Sequence, residues 1–269
     1  MSKLVVLKEG DKMRLIVQNK PQTALECLAI DDALRQMRIS DEIPDTVFLW
    51  RPTKFIYVLK NASVDHVNRQ YAEDCGYPVM RSATIVGKED SLVIVGDMWN
   101  LITSIKPTLD KKEHIYNYGQ GAWIYIINKL GLKLEAKGND LVVLGTDRKL
   151  SGFACDTSYP KSIFMNCFLS EKLPKNVDLN KLFILQQSKF KDKSVNSAEE
   201  RVTSIEKEIN TTLSQEWLEG ALVEYFSTIG VTLEKTDFTQ KEKEFAKKLE
   251  AKHLSEEWIV YGREKPDFS

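Results

Sequence analysis

Residues 141–169 carry three strand-length runs in succession, Leu141 to Leu144, Lys149 to Cys155 and Ser162 to Leu169, with only short polar gaps between them. Strands that follow one another without a helix between each pair break strict β-helix-β alternation. Together with helical patterns elsewhere, they argue for a mixed sheet of α+β type.

The rest of the chain reads in the same way. Leu4 to Leu7 and Met13 to Val17 flank Glu9-Gly10-Asp11 as a hairpin would. Cys27, Ile30, Leu34 and Met37 recur in three- and four-residue steps, which mark one apolar helix face. Thr46 to Trp50, Phe55 to Leu59, Pro78 to Arg81 and Ser91 to Val95 are short runs of strand character, and Val64 to Cys75 reads as a helix. Asp110 to Leu130 has helical spacing broken near Gly119 and Gly121. From Leu179 onward the pattern is helical, with S/T-x-x-E starts at Ser197 and Thr239 and helices over about Ser214 to Ile229 and Thr239 to Lys252. One domain over 1–269 with a helical C-terminal part, about 178–269, is the expected organisation.

Between two of the strand runs, the segment Gly138 to Ala154 (GNDLVVLGTDRKLSGFA) holds a lone lysine, Lys149, followed at once by Ser151 and Gly152. A cation beside a small hydroxyl and a glycine, where backbone approaches closely, suits an oxyanion or phosphate. A surface lysine on an edge strand followed by a turn fits the same pattern.

Composition narrows the partners. Lysine and arginine number 38 against 39 acidic residues, for a formal charge of -1, so no basic patch calls for nucleic acid or an anionic membrane. The cysteines (Cys27, Cys75, Cys155, Cys167) form no CxxC pair, and His66, His114 and His253 stand at no ligand spacing, which argues against a metal-thiolate site. No stretch approaches the roughly 20 apolar residues of a membrane span, and a cytoplasmic location with reduced thiols is expected.

Asn139-Asp140, a short apolar run and Lys149-Leu150-Ser151-Gly152-Phe153-Ala154 together resemble, at slightly longer spacing, the NDL…K-(I/L)-SG-x-A segment of the lipoate-protein ligase A family, relatives of the biotin-protein ligases. Further pieces follow in family order. Ala24 to Asp32 is similar to the first helix, Phe48 to Pro52 to its L-x-x-W-x-P strand end, and Val67-Asn68 with Gly76 to Arg81 to E-V-N … G-(I)-P-V-V-R-R. Ser197 to Ile205 resembles S-V-x-x-R-V-x-x-L, and Thr239 to Tyr261 resembles the closing T-x-x-E … S-x-E-W run.

The resemblance implies a largely antiparallel sheet flanked by helices, as in class II aminoacyl-tRNA synthetases and biotin-protein ligases. It also implies ATP-dependent activation of lipoate or a similar acid and transfer to a lysine of an acceptor lipoyl domain or H-type protein. Lys149 would be the catalytic residue. Arg81, Thr84 and Gly87 would bind phosphate or acyl group, Asn139 and Asp140 would sit near ATP or its Mg2+, and Ser151 and Gly152 would line the site. Some family members require a small accessory subunit, and the chain ends soon after Ser255 to Trp258, so such a partner is expected.

Departures from the family pattern keep other readings open. Where the family reads RRxSGGGxVxHD, Arg81 to Leu92 retains in register only Arg81, Thr84 and Gly87, with Ile85 and Val86 in place of glycines. Phe164 to Leu169 stands for H-H-G-T-L-L, and Leu59-Lys60-Asn61 for a glycine-containing run. A catalytically silent relative that binds a protein is one alternative. Acyl transfer through Cys155 or Cys167 is another.

Overall fold

The structure, a computed structural model, describes residues 11–18, 20–84, 92–108, 115–159, 162–184 and 197–262. In chain order the strands and helices are β1 (Asp11–Val17), α1 (Ala24–Ile39), β2 (Thr46–Trp50), β3 (Phe55–Val58), α2 (Arg69–Asp74), β4 (Val79–Arg81), β5 (Leu92–Val95), β6 (Met98–Ile105), α3 (Gln120–Lys129) and β7 (Leu134–Lys137). They continue as β8 (Asp140–Val143), β9 (Lys149–Tyr159), β10 (Ser162–Ser170), α4 (Leu179–Leu182), α5 (Ala198–Arg201), α6 (Ile205–Ile209), α7 (Gln215–Thr228), β11 (Val231–Lys235), α8 (Gln240–Leu254) and α9 (Glu256–Tyr261).

An eight-stranded sheet in the order β11-β1-β2-β6-β10-β9-β8-β7 forms the frame, with a three-stranded sheet β4-β3-β5 beside it. β1 runs parallel to both β2 and β11, and every other pairing in the large sheet is antiparallel. The expected mixed, largely antiparallel α+β architecture is therefore the one observed.

Both faces of the large sheet are covered, and alternation along each strand divides the core in two. Leu101, Met165, Cys167, Leu169 and Phe153 face α3 and α7, in a layer that includes Trp123, Leu222 and Phe226. Phe48, Ile102, Phe164 and Phe168 face the opposite way, toward α1 and the small sheet, with Cys27, Leu34, Tyr57 and Met80. Burial on both faces explains why β10 reads as a nearly continuous apolar run.

Local chemistry sets the helix ends. Thr23 and Glu26 form a reciprocal capping box on α1, as Thr239 and Glu242 do on α8, the second from a start legible in the sequence. Ser197 caps the four-residue α5 through the amide of Glu200.

Several elements differ from expectation. The helix expected over Val64 to Cys75 is split: a 3-10 turn at Val64–His66 ends, and Asn68 caps a fresh start for α2. β6 and β7 were not anticipated. In the C-terminal part expected to be helical, Gly230 in the positive-φ region ends α7, and Val231–Lys235 then pairs with β1 as a strand. Leu4 to Leu7 of the expected hairpin lies outside the described residues.

Candidate active site

Directly opposed residues on neighbouring strands point to the same face of a sheet. One such row crosses five strands: Trp50 of β2, Asn100 of β6, Phe168 of β10, Gly152 of β9 and Asp140 of β8. Simple alternation would place Lys149 on the opposite face, with Ser151. Instead the β8–β9 register shifts, from Leu141 opposite Ser151 to Val142 opposite Lys149, so Leu150 is the extra residue of a bulge. The bulge brings Lys149 onto the face of Asp140 and Gly152. There its Nζ lies 2.7 Å from Asp140 Oδ1.

Gly152 leaves room for that side chain. A Cβ at 152 would stand 3.1 Å from Lys149 Nζ and 3.3 Å from its Cε.

A second cation shares the carboxylate. Arg201, at the end of α5, places Nη2 2.6 Å from Asp140 Oδ2 and donates from Nη1 to the Asp147 carbonyl. The segment after α5 also pairs with the start of β9, since the Thr203 amide donates to the Lys149 carbonyl at 2.9 Å. Arg148 forms a two-pronged pair with Glu208 of α6, both arms 2.9 Å, tying the β8–β9 turn to the same segment. Burial pushes the Asp140 carboxyl up, but the Lys149 charge and hydrogen bond, joined by those of Arg201, outweigh it and hold it below the ordinary range. The Arg201 side chain is only 11% exposed and Lys149 30%, so the lysine is the more accessible of the two cations.

The other expected site residues are distributed more widely. Asn139 completes the two-residue β7–β8 turn after Gly138, whose φ is +61°, and its carbonyl accepts from the Phe153 amide at 2.7 Å. Ser151 points away from Lys149 into the α3–α7 layer, where its Oγ meets Cys167 Sγ at 3.3 Å. Its expected place in the site is thus corrected by strand alternation. Thr84 is buried, 3.2 Å from Ser82 Oγ, which in turn accepts from the Tyr57 hydroxyl at 3.0 Å. Gly87, Ile85 and Val86 lie outside the described residues.

Arg81 is also corrected. Its guanidinium is buried and donates to five backbone carbonyls: Leu59, Lys60 and Ala62 in the loop after β3, and Ile259 and Val260 near the end of α9. Its own carbonyl accepts from Trp258 Nε1 at 3.2 Å, and Ser255 caps α9 through the Trp258 amide. The S-x-E-W element is therefore the lock that holds this arginine. A cation satisfied by carbonyl dipoles at a helix C-terminus is committed to the fold rather than offered to a phosphate.

Two residues that sequence reasoning left aside share the Lys149 face. Asn100 and Asn166 are fully or nearly fully buried, and neither amide nitrogen nor oxygen of either has a hydrogen-bond partner. Their signal in the sequence is an asparagine inside a strand otherwise made of apolar, hydroxyl and thiol residues.

The cysteines lack the setting of nucleophiles. Burial pushes the thiols of Cys155 and Cys167 up to about 12, with Asp156 adding to the rise at Cys155. His66 faces the Ile184 carbonyl, and His253 is buried beside Asp32. No cluster of three or more His, Cys, Asp or Glu residues suited to a metal occurs among the described residues. Asp140, with both oxygens on cations, does not fit a Mg2+ ligand as it stands. A groove of about 250 Å³ between α1 and α8, lined by Ala29, Ala33, Phe238 and Ala246, lies elsewhere.

This fold has known counterparts. The chain superposes on a bi-partite lipoate protein ligase from Thermoplasma acidophilum, described with its E2 lipoyl domain, with a TM-score of 0.75 and 19% identity over 96% of this chain and 100% of that one. A lipoate-protein ligase A bound with ATP gives 0.69 and 17% identity over 94% and 98% of the two chains. LipL1 of P. falciparum in complex with lipoate gives 0.66 and 18% identity over 96% and 75%. No curated protein sequence matches the chain. The model of the lipoyl protein ligase A/B catalytic domain matches residues 23–227, well over half of the chain and a span that includes Lys149, Asp140, Gly152 and Arg201. The chain belongs to the lipoyl protein ligase A/B catalytic domain family.

Proposed function

We propose that this protein is a lipoate-protein ligase, activating lipoate or a similar acid with ATP and passing the acyl group to a lysine of an acceptor lipoyl domain. The observation that carries the reading is the placement of Lys149. A β-bulge turns its ammonium onto the same face as Gly152, and it rests on a carboxylate that Arg201 also neutralises. When an anionic substrate approaches, Lys149 can leave Asp140 without stranding a bare buried charge, because Arg201 stays in place. Its point charge then binds the substrate carboxylate and the α-phosphate, and stabilises negative charge as it develops during acyl activation.

ATP enters as the second substrate. When bound, Mg2+ would supply charge neutralisation at the phosphates, and Asp140 in its present pairing would not hold it. The lipoyl-domain acceptor and an accessory subunit belong to the same reading, supported by the Thermoplasma ligase described as bi-partite and with its lipoyl domain.

The test is ATP–pyrophosphate exchange with lipoate or octanoate, with and without a candidate accessory subunit. Exchange is expected in the wild type and lost in Lys149→Ala. Absence of exchange under every condition overturns the reading. The raised thiols of Cys155 and Cys167 speak against the cysteine route, so Cys155→Ser and Cys167→Ala are expected to keep exchange activity.

A further inference from the structure

The ammonium of Lys149 already holds a carboxylate of its own chain. Asp140 Oδ1 lies 2.7 Å from Nζ, and among the described residues no other acidic group forms an ion pair with this lysine. The second oxygen of Asp140 faces Arg201 Nη2 at 2.6 Å, so one carboxylate lies between two cations. A carboxylate set between cations is what a site for an acid or a phosphate offers its ligand. Here a side chain of the protein stands in the ligand's place.

Both partners are fixed at their backbones. Asp140 opens β8, opposite Lys137 on one side and Gly152 on the other. Lys149 opens β9, and its carbonyl accepts from the Thr203 amide at 2.9 Å. Only the flexible arm of the lysine separates the paired ammonium from a free one. Lys137, across from Asp140, is engaged elsewhere: its Nζ donates to the Thr146 carbonyl at 2.9 Å and to Asp147 Oδ1 at 3.1 Å. The charge of Asp140 is therefore divided between Lys149 and Arg201, and Arg201 is anchored on the Asp147 carbonyl as well. Two cations on one carboxylate repel each other, so Arg201 weakens the hold of Asp140 on Lys149.

We propose that Asp140 is an internal competitor for Lys149: an acid must displace its carboxylate to bind, and Arg201 sets how easily that happens. The proposal rests on the ligase reading of Lys149 and adds the regulation of that site. A ligand's affinity is reduced by the fraction of molecules in the competent state, which here is the fraction with Lys149 released. Asp140 is tethered within reach of the ammonium, so it competes at a high and constant effective concentration. Acid affinity is then a balance struck inside the protein. A ligand shifts it only by offering Lys149 a negative charge in exchange, which the neutral amide of the same acid cannot do.

The experiment is calorimetry of octanoate and lipoate on the full chain without nucleotide, alongside ATP–pyrophosphate exchange. The forms compared are the wild type, Asp140→Asn, Asp140→Ser, Asp140→Glu, Arg201→Gln and the double variant Asp140→Asn with Arg201→Gln, each checked by thermal melting. Asp140→Asn keeps the shape and removes the charge, and it is expected to bind both acids about fivefold more tightly than the wild type. Asp140→Ser is expected to do the same and decides the matter if the asparagine variant does not fold. Asp140→Glu restores the charge and is expected to stay near the wild type. Arg201→Gln is expected to weaken acid binding about threefold in the wild-type background and clearly less when Asp140 is already asparagine. Asp140→Asn and Asp140→Ser binding the acids no more tightly than the wild type overturns the proposal, as does an Arg201→Gln loss of equal size in both backgrounds. Tighter acid binding in Asp140→Asn with no exchange in any form, with or without an accessory subunit, upholds the proposal and removes the ligase reading. Exchange in the wild type with no gain in affinity on loss of the Asp140 charge does the reverse. Failure of every form to bind either acid overturns both.

Discussion

The ammonium of Lys149 lies across the backbone of Gly152, where a single added carbon would sit 3.1 Å from Nζ. The glycine is thus explained by its neighbour's side chain rather than by a turn. Gly152→Ala is expected to displace the lysine ammonium by a few tenths of an ångström and reduce exchange. The melting temperature should change little, because the displaced atoms are the far end of a flexible side chain. Unchanged exchange would show that the position of Lys149 does not matter to catalysis.

Arg201 is expected to hold the site together from outside the strands. Arg201→Ala strips one of the two cations from Asp140 and removes the donor to the Asp147 carbonyl. A loss of about 2 kcal/mol in stability is expected by urea unfolding, with exchange falling as well. Arg201→Lys should recover part of the stability, since lysine supplies the charge without the fork.

Arg81 gives a contrasting expectation. Because five carbonyls accept from it and it links the loop after β3 to α9, Arg81→Ala should destabilise by about 3 kcal/mol or more and loosen the C-terminal helix. A phosphate-binding arginine would behave in the opposite way, weakening ATP binding with stability intact. Paired measurement of the melting temperature and the KM for ATP separates the two.

How far the site was legible in the sequence follows from these cases. Lys149, Gly152 and Asp140 stand out as candidates because they lie in one short segment whose residue types are unusual for a strand. Arg201 stood within a recognised segment, yet its role depends on α5 folding back over β9, which no local pattern encodes. Ser151 and Arg81 were misassigned for different reasons. A bulge at Leu150 reversed the alternation that decides which neighbours share a face, and Arg81 acquires its carbonyl partners from elements up to 179 residues away. β11 was missed because a five-residue strand between two helices is too short to show a period and owes its pairing to the edge that β1 offers. The central strand β6 was missed because Asn100, Thr103 and Ser104 interrupt its apolar pattern.

Two carboxyls should shift stability with pH in opposite directions. Asp140 has a folded pKa below its unfolded one, so its contribution is complete above about pH 4 and is lost as pH falls through the folded value. Asp140→Asn should flatten that acid limb. Asp31, buried with both oxygens unpartnered, is raised well above the ordinary range by burial and then by Asp32. Its protonated form contributes stability below the unfolded pKa, and that contribution is lost as pH rises through the folded value. Asp31→Asn is therefore expected to be more stable than the wild type at neutral pH and no more stable below about pH 4, as read from urea melts across the range.

The most direct measurement is ATP–pyrophosphate exchange by the wild type and by Lys149→Ala, each supplied with lipoate and octanoate, and each shown by thermal melting to be folded. Acid-dependent exchange in the wild type that disappears in the folded variant is the expected result. Exchange that survives loss of the Lys149 ammonium, or a wild type that exchanges with neither acid with or without an accessory subunit, would contradict the assignment of Lys149 as the catalytic cation.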